Sequence, residues 1–130
     1  MAKQFTLGKQ ERLKSRKIIE QLFNEGKNFI VSPFRVFYLF EEIVSSPLQF
    51  GVGISKKNFK KAVDRNKAKR IVRETYRLQK LSLQQKLKEK KKRLNIFFIY
   101  NGKELPVYEE TYETIKLILN KLDKIVDEAN

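Results

Sequence analysis

Arg65, Lys69, Arg73 and Arg77 recur at every fourth residue, with Asn66, Lys67 and Arg70 among them. On a helix turning about 100° per residue this spacing stacks four cations on one ridge, each neighbouring pair repelling by roughly 0.2–0.5 kcal/mol. Such a ridge calls for an anion to offset it, and guanidinium groups grip phosphate oxygens two at a time where ammonium groups cannot. The chemistry on offer is neutralisation and positioning of a polyanion. Instruments for breaking bonds are scarce. With no His and no Cys, the chain lacks the commonest general base, the commonest metal ligand and every thiol nucleophile. Its only Asp residues are Asp64, Asp123 and Asp127, and no acidic constellation for a two-metal nuclease appears. No residue is assigned a catalytic or metal-binding role.

The formal net charge of +14 lies wholly between Lys56 and Arg93, where 17 Lys or Arg face only Asp64, Glu74 and Glu89. The rest of the chain is balanced. Interspersed charges of both signs would serve solubility, whereas a block of one sign builds a field that a polyanion feels, so nucleic acid is the first partner to test. The competing reading is an amphipathic helix whose cations merely keep its outer side wet. For the run Lys80–Arg93, a solvated face is the stronger expectation, as part of the basic helix or as a mobile loop.

The elements that must carry this ridge can be read from periodicity. At 130 residues the chain suits one domain, spanning 1–130, with residues 1–14 expected to form a mobile basic arm. Ser15 as N-cap and Ile18, Ile19, Leu22 and Phe23 as apolar face predict a helix over 16–25, with Gly26 in the left-handed position that ends helices. The aromatic run Phe34–Phe40 after Pro33 predicts a strand, and the alternation of Leu48, Phe50, Val52 and Ile54 predicts a second one, antiparallel to it. Gly51 and Gly53 bare the other side of that strand, which marks either a bulge or the close approach of a backbone or ligand. From about Lys61 to Leu78 the period becomes helical, with Ala68, Ile71, Val72, Thr75 and Leu78 opposite the cations. Asn95–Tyr100 reads as a strand buried on both faces, and Pro106 opens a last amphipathic helix. The fold class is α+β, a two-layer sandwich in the order α-β-β-(β)-α-β-α with a mostly antiparallel sheet. Nothing resembles a secretory signal or a membrane span, so a cytoplasmic protein with no membrane partner is expected.

The stretch Gly51-Val-Gly-Ile-Ser-Lys-Lys followed by Ala62-Val-Asp-Arg-Asn-Lys-Ala-Lys-Arg-Ile-Val-Arg-Glu resembles the signature of the bacterial ribonuclease P protein subunits. That family's motif reads approximately Arg-Asn-Arg-x-Lys-Arg-x-x-Arg-Glu. Arg12-Leu13-Lys14, Phe23, Gly26 and the aromatic strand from Phe34 add to the likeness, which covers roughly residues 5–120. Lys67 stands where the motif has its second Arg, Lys60-Lys61 replaces a common Gly-Asn pair, and Ile19 replaces a frequent aromatic.

The resemblance implies a left-handed βαβ crossover carrying the basic helix, whereas physics alone favours the right-handed form. It implies the auxiliary subunit of a ribonucleoprotein that cuts the 5′ leader from precursor tRNA. Magnesium ions held by the catalytic RNA would do the chemistry, and one protein would serve each RNA. Lys56, Lys57, Arg65, Asn66, Lys67, Lys69, Arg70 and Arg73 are the residues expected on the catalytic RNA, and Arg12, Phe23 and Phe37 those expected in a cleft for the single-stranded leader. The rival is a static RNA-binding or ribosomal protein using the same helix.

Overall fold

The computed structural model describes Arg12, Leu13 and residues 15–42 and 47–129. The chain's most extensively buried strand sits inside the sheet. Strands β1 (Lys27–Val31), β2 (Phe34–Glu42), β3 (Leu48–Ile54) and β4 (Lys92–Tyr100) lie in the order β1-β2-β4-β3. β4 pairs antiparallel with β2 and parallel with β3. β2 and β3 are thus not neighbours as their sequence proximity suggested. With Leu94, Ile96 and Phe98 wholly buried, β4 takes the middle, where both of its edges are paired and both of its faces are covered.

Helices α2 (Ala62–Arg77), α3 (Leu81–Lys90) and α4 (Tyr108–Glu128) cover one face of the sheet. The core lies between them, built from Phe34, Val36, Phe50, Val52, Ile96 and Phe98 below and Val72, Tyr76, Leu87, Ile115, Leu119 and Leu122 above. Phe50 stacks on Tyr76 with centroids 3.8 Å apart and planes 8° from parallel, which fixes α2 against β3. Such an aromatic pair adds about 0.5–1.5 kcal/mol to the area it buries. Among the described residues no helix is long and apolar enough to cross a membrane.

Helix α1 (Arg16–Glu25) lies on the opposite face, its Leu22 fully buried and its Phe23 against Phe37 and Phe97. Its bounds match the sequence reading, and Ser15 accepts from the Ile18 N–H at 3.4 Å. Gly26 ends it differently from expectation: the residue is extended, with φ −74° and ψ 161°. Glycine is needed there for space, because a Cβ would stand 2.5 Å from the Leu22 carbonyl oxygen and 2.9 Å from that of Tyr38. The run Lys80–Arg93 resolves into a separate helix, α3, ended by Lys91 in the left-handed conformation at φ 56°, and then into the start of β4. Of the expected N-terminal arm, Arg12 and Leu13 are paired rather than loose: Arg12 bridges to Phe50 in parallel, with Leu13 N–H donating to Phe50 O at 2.8 Å. The remainder of that arm lies outside the described residues.

Candidate nucleic-acid interface

The buried residues of α2 are Ala68, Val72, Thr75 and Tyr76. On the helical wheel these centre near 330°, about 50° from the centre that the sequence pattern suggested. Tyr76 causes the shift, because its ring is drawn in by Phe50 while Leu78 is left 37% exposed. Arg65 then falls between Val72 and Tyr76 on the wheel, over the inward sector. Its guanidinium turns back on the chain, Nη1 donating to Phe59 O at 2.8 Å and to Lys60 O at 2.9 Å. Arg77 pairs with Glu74. The outward ridge is therefore Asn66, Lys67, Arg70 and Arg73, all exposed, with Lys69 half-buried beside them.

The loop ahead of α2 is pinned at two points. Phe59 is buried beside Tyr100, and Asn58 Nδ2 donates to the carbonyls of Asn101 at 3.1 Å and Gly102 at 3.3 Å. Lys56, Lys57, Lys60 and Lys61 consequently stand exposed on a fixed backbone, continuing the cationic surface past the first turn of α2.

Arg12 joins this surface from the other side. Residues paired across strands share a face, so Arg12 points with Phe50 toward the helices. From there its charge acts on Arg73, whose guanidinium is held below its usual pKa by partial burial first and by the Arg12 charge second. Arg12 was expected in the aromatic cleft with Phe23 and Phe37; its position groups it instead with the ridge.

The cleft itself is a three-ring cluster on the far face. Phe23, 44% exposed, meets Phe37 edge-on at 4.9 Å and Phe97 at 5.5 Å. Phe97 escaped the sequence reading, which took its whole strand as buried on both faces. The signal was present in Gly51 and Gly53: a Cβ on Gly51 would lie 2.7 Å from the Phe97 ring, and one on Gly53 3.1 Å from it. The close approach that those glycines allow is made by this side chain.

Much of the charge between Lys80 and Arg93 serves the fold. Lys90 Nζ donates to the carbonyls of Val126, Asp127 and Ala129, closing the C-terminal end of α4. Lys86 bonds Asp127 at 3.0 Å and lies 3.9 Å from Asp123. Lys80 and Arg93 are buried, with Arg93 donating to Asn95 Oδ1 at 3.3 Å and 3.9 Å from Glu41. The run is thus a helix rather than a loop, with a solvated face at Lys88, Glu89 and Lys91 and with Lys86 and Lys90 turned to acceptors on α4.

The family model for ribonuclease P matches residues 7–123. A ribonuclease P protein component of Porphyromonas gingivalis is 44% identical over 103 residues, covering 78% of this chain and 75% of that one. One from Dictyoglomus turgidum is 39% identical over 70 residues, covering 54% and 56%. Among solved structures, the Staphylococcus aureus RNase P protein at 2.0 Å superposes with a TM-score of 0.70 at 19% identity, over 86% of this chain and 94% of that one. A second structure of that protein gives 0.57 at 24% identity, over 96% of each. The fold is thus shared with these structures, and the chain belongs to the ribonuclease P protein family.

Proposed function

We propose that this chain is the protein subunit of the ribonucleoprotein that removes the 5′ leader from precursor tRNA, working in the cytoplasm with the catalytic RNA as its partner. The observation that carries the reading is the division of labour across β3. On one side of this strand stand Arg12, Lys69, Arg70 and Arg73; on the other the rings of Phe23, Phe37 and Phe97 line an open cluster. The cationic side suits the phosphate backbone of a folded RNA, which it would hold without reading sequence. The aromatic side suits unpaired bases, each stacked base contributing about 1–3 kcal/mol with little sequence demand.

Cleavage itself belongs to the RNA in this reading. Magnesium would enter with that RNA and supply the activated water and the Lewis acid. This chain's paired carboxylates, Asp123 and Asp127, fit a divalent cation poorly because the Lys86 ammonium already lies against them. The protein's part is to lower phosphate repulsion where RNA and leader converge and to hold the leader strand in line.

The deciding assay is cleavage of a 5′-extended precursor tRNA by bacterial ribonuclease P RNA at low magnesium, with and without the chain. Restored, accurate leader release supports the subunit reading. Tight RNA binding with no change in cleavage rate would replace it with static RNA binding.

A further inference from the structure

Three half-buried rings form a second aromatic row, on the helix-bearing face and at the margin farthest from β3. Phe29, Tyr38 and Phe40 follow one another with centroids 5.9 and 6.4 Å apart. Their parity along β1 and β2 is that of buried Val36, so they lie on the face opposite Phe37 and Phe97. An ammonium closes each end: Lys121 Nζ is 4.7 Å from the Phe29 centroid and Lys92 Nζ 5.4 Å from that of Phe40. A groove of about 480 Å³ runs beside Tyr38 and Phe40, walled by Ile125 and carrying Lys27, Glu25 and Glu128. A second hollow of about 490 Å³ shares Phe40 and continues over Glu41, Lys91 and Lys92.

From this arrangement we infer that the β1–β2 margin binds a short stretch of single-stranded RNA, apart from both the cationic ridge and the leader cleft. A ring with an ammonium over its face is a site from which a base can displace the cation. The displaced ammonium then meets the phosphate that arrives with the base. The two glutamates select what enters the groove. They repel a phosphate there but accept hydrogen bonds from exocyclic amino groups, as carboxylates do from cytosine N4. The ligand is therefore RNA with an amino-bearing base on Tyr38 and Phe40 and phosphates toward Lys92 and Lys121.

The chain contains no Trp, so Phe40→Trp installs a single fluorescent reporter in the row. The probes are RNA hexamers of alternating cytidine and adenosine, and of uridine alone, with no catalytic RNA present. The expected result is quenching that saturates with the first hexamer. The affinity read at this reporter should fall about fivefold when Lys92→Gln and Lys121→Gln are added, and by a similar factor for the uridine hexamer. An unquenched reporter, while anisotropy of a labelled hexamer shows the protein saturated, would overturn the proposal. So would quenching indifferent to both lysines, as contact with an apolar or protein ligand would give. A parallel Phe97→Trp reporter reads the leader cleft alone, so the two sites fail or stand separately. If Phe40→Trp does not fold, Phe29→Trp serves as the reporter with the same outcomes.

Discussion

Arg12, paired to Phe50 at the edge of β3, stands against Arg73 of α2, and the neighbouring charge that acts on Arg73 is this second cation rather than a carboxylate. Folding brings the two together for reasons unrelated to their charge. Leu13 is buried, its N–H completes a ladder bond on β3, and Phe50 beneath locks Tyr76, one helical turn from Arg73. The fold thus holds two cations near each other, and a phosphate between the two guanidinium groups would relieve their repulsion.

If one phosphate is shared, the two residues act as a unit. Arg12→Ala and Arg73→Ala should each flatten the dependence of RNA affinity on salt by about 0.7–0.9 log units per decade, the change for one phosphate contact. The double variant should flatten it no further. Filter binding across a salt series measures all four slopes, and full additivity would mean two separate phosphates.

Arg65 and Arg70 are one type of residue in one helix, but they should fail differently. Arg65→Ala removes the donor to the Phe59 and Lys60 carbonyls, and charged hydrogen bonds of this kind contribute about 1.5–3 kcal/mol. Arg70 is exposed, and its replacement by Ala should change stability by less than about 0.5 kcal/mol while weakening RNA binding. Urea unfolding of the two variants separates them, and equal midpoints would remove Arg65 from its structural role.

What the sequence conveyed best was what local physics decides. Ser15, the apolar face through Leu22 and the glycine behind it delimit α1 within one turn of chain, and the bounds agree. The spacing of cations on α2 was equally legible, but its rotation was not. A wheel drawn from hydropathy treats Tyr76 as neutral, whereas its stack on Phe50 rolls the helix and sets the Arg65 guanidinium against the loop carbonyls of Phe59 and Lys60. Strand order was hidden for a similar reason, since the insertion of β4 between β2 and β3 follows from burial competition across the whole sheet. The fate of Lys86 and Lys90 could not be read either, because their acceptors lie on α4, far along the chain.

The α3–α4 contact should give the chain a pH signature. Asp123 has its pKa raised, by burial first and by Asp127, with Lys86 opposing from 3.9 Å, too far to bond the buried Oδ1. A carboxyl raised in the fold binds its proton more tightly there than in the unfolded chain. Its contribution to stability is therefore lost as pH rises from the ordinary value, about 3.9, through the raised one. Lys86, raised chiefly by its bond to Asp127, stays protonated over this range and adds no slope of its own there. Asp123→Asn should gain on wild type as pH climbs through the ordinary carboxyl value and on through the raised one, and then run parallel to it. Denaturant midpoints at several pH values test this, and a constant offset would show that the fold does not disfavour the charged carboxyl.

The pairing of Gly51 with Phe97 lets cleft and scaffold be separated by substitution. Gly51→Ala drives a methyl to within 2.7 Å of the ring and 3.2 Å of the Leu13 carbonyl oxygen, whereas Gly53→Ala meets the ring alone, at 3.1 Å. Overpacking of this kind costs about 1–3 kcal/mol, with Gly51 at the upper end and Gly53 at the lower. The half-exposed ring can move outward, and it would then displace Phe23 and Phe37 from the edge-on packing on which the proposed leader cleft rests. Gly51→Ala should accordingly weaken binding of a single-stranded leader as well as stability. Phe97→Ala removes the obstacle, so adding Gly51→Ala to it should cost almost nothing in stability. Leader affinity should stay low in that double variant, because a stacking ring worth about 1–3 kcal/mol is gone. A strongly destabilised double variant would instead place the glycine's importance in the Leu13 contact, and the bare side of β3 would then serve the N-terminal segment rather than the cleft.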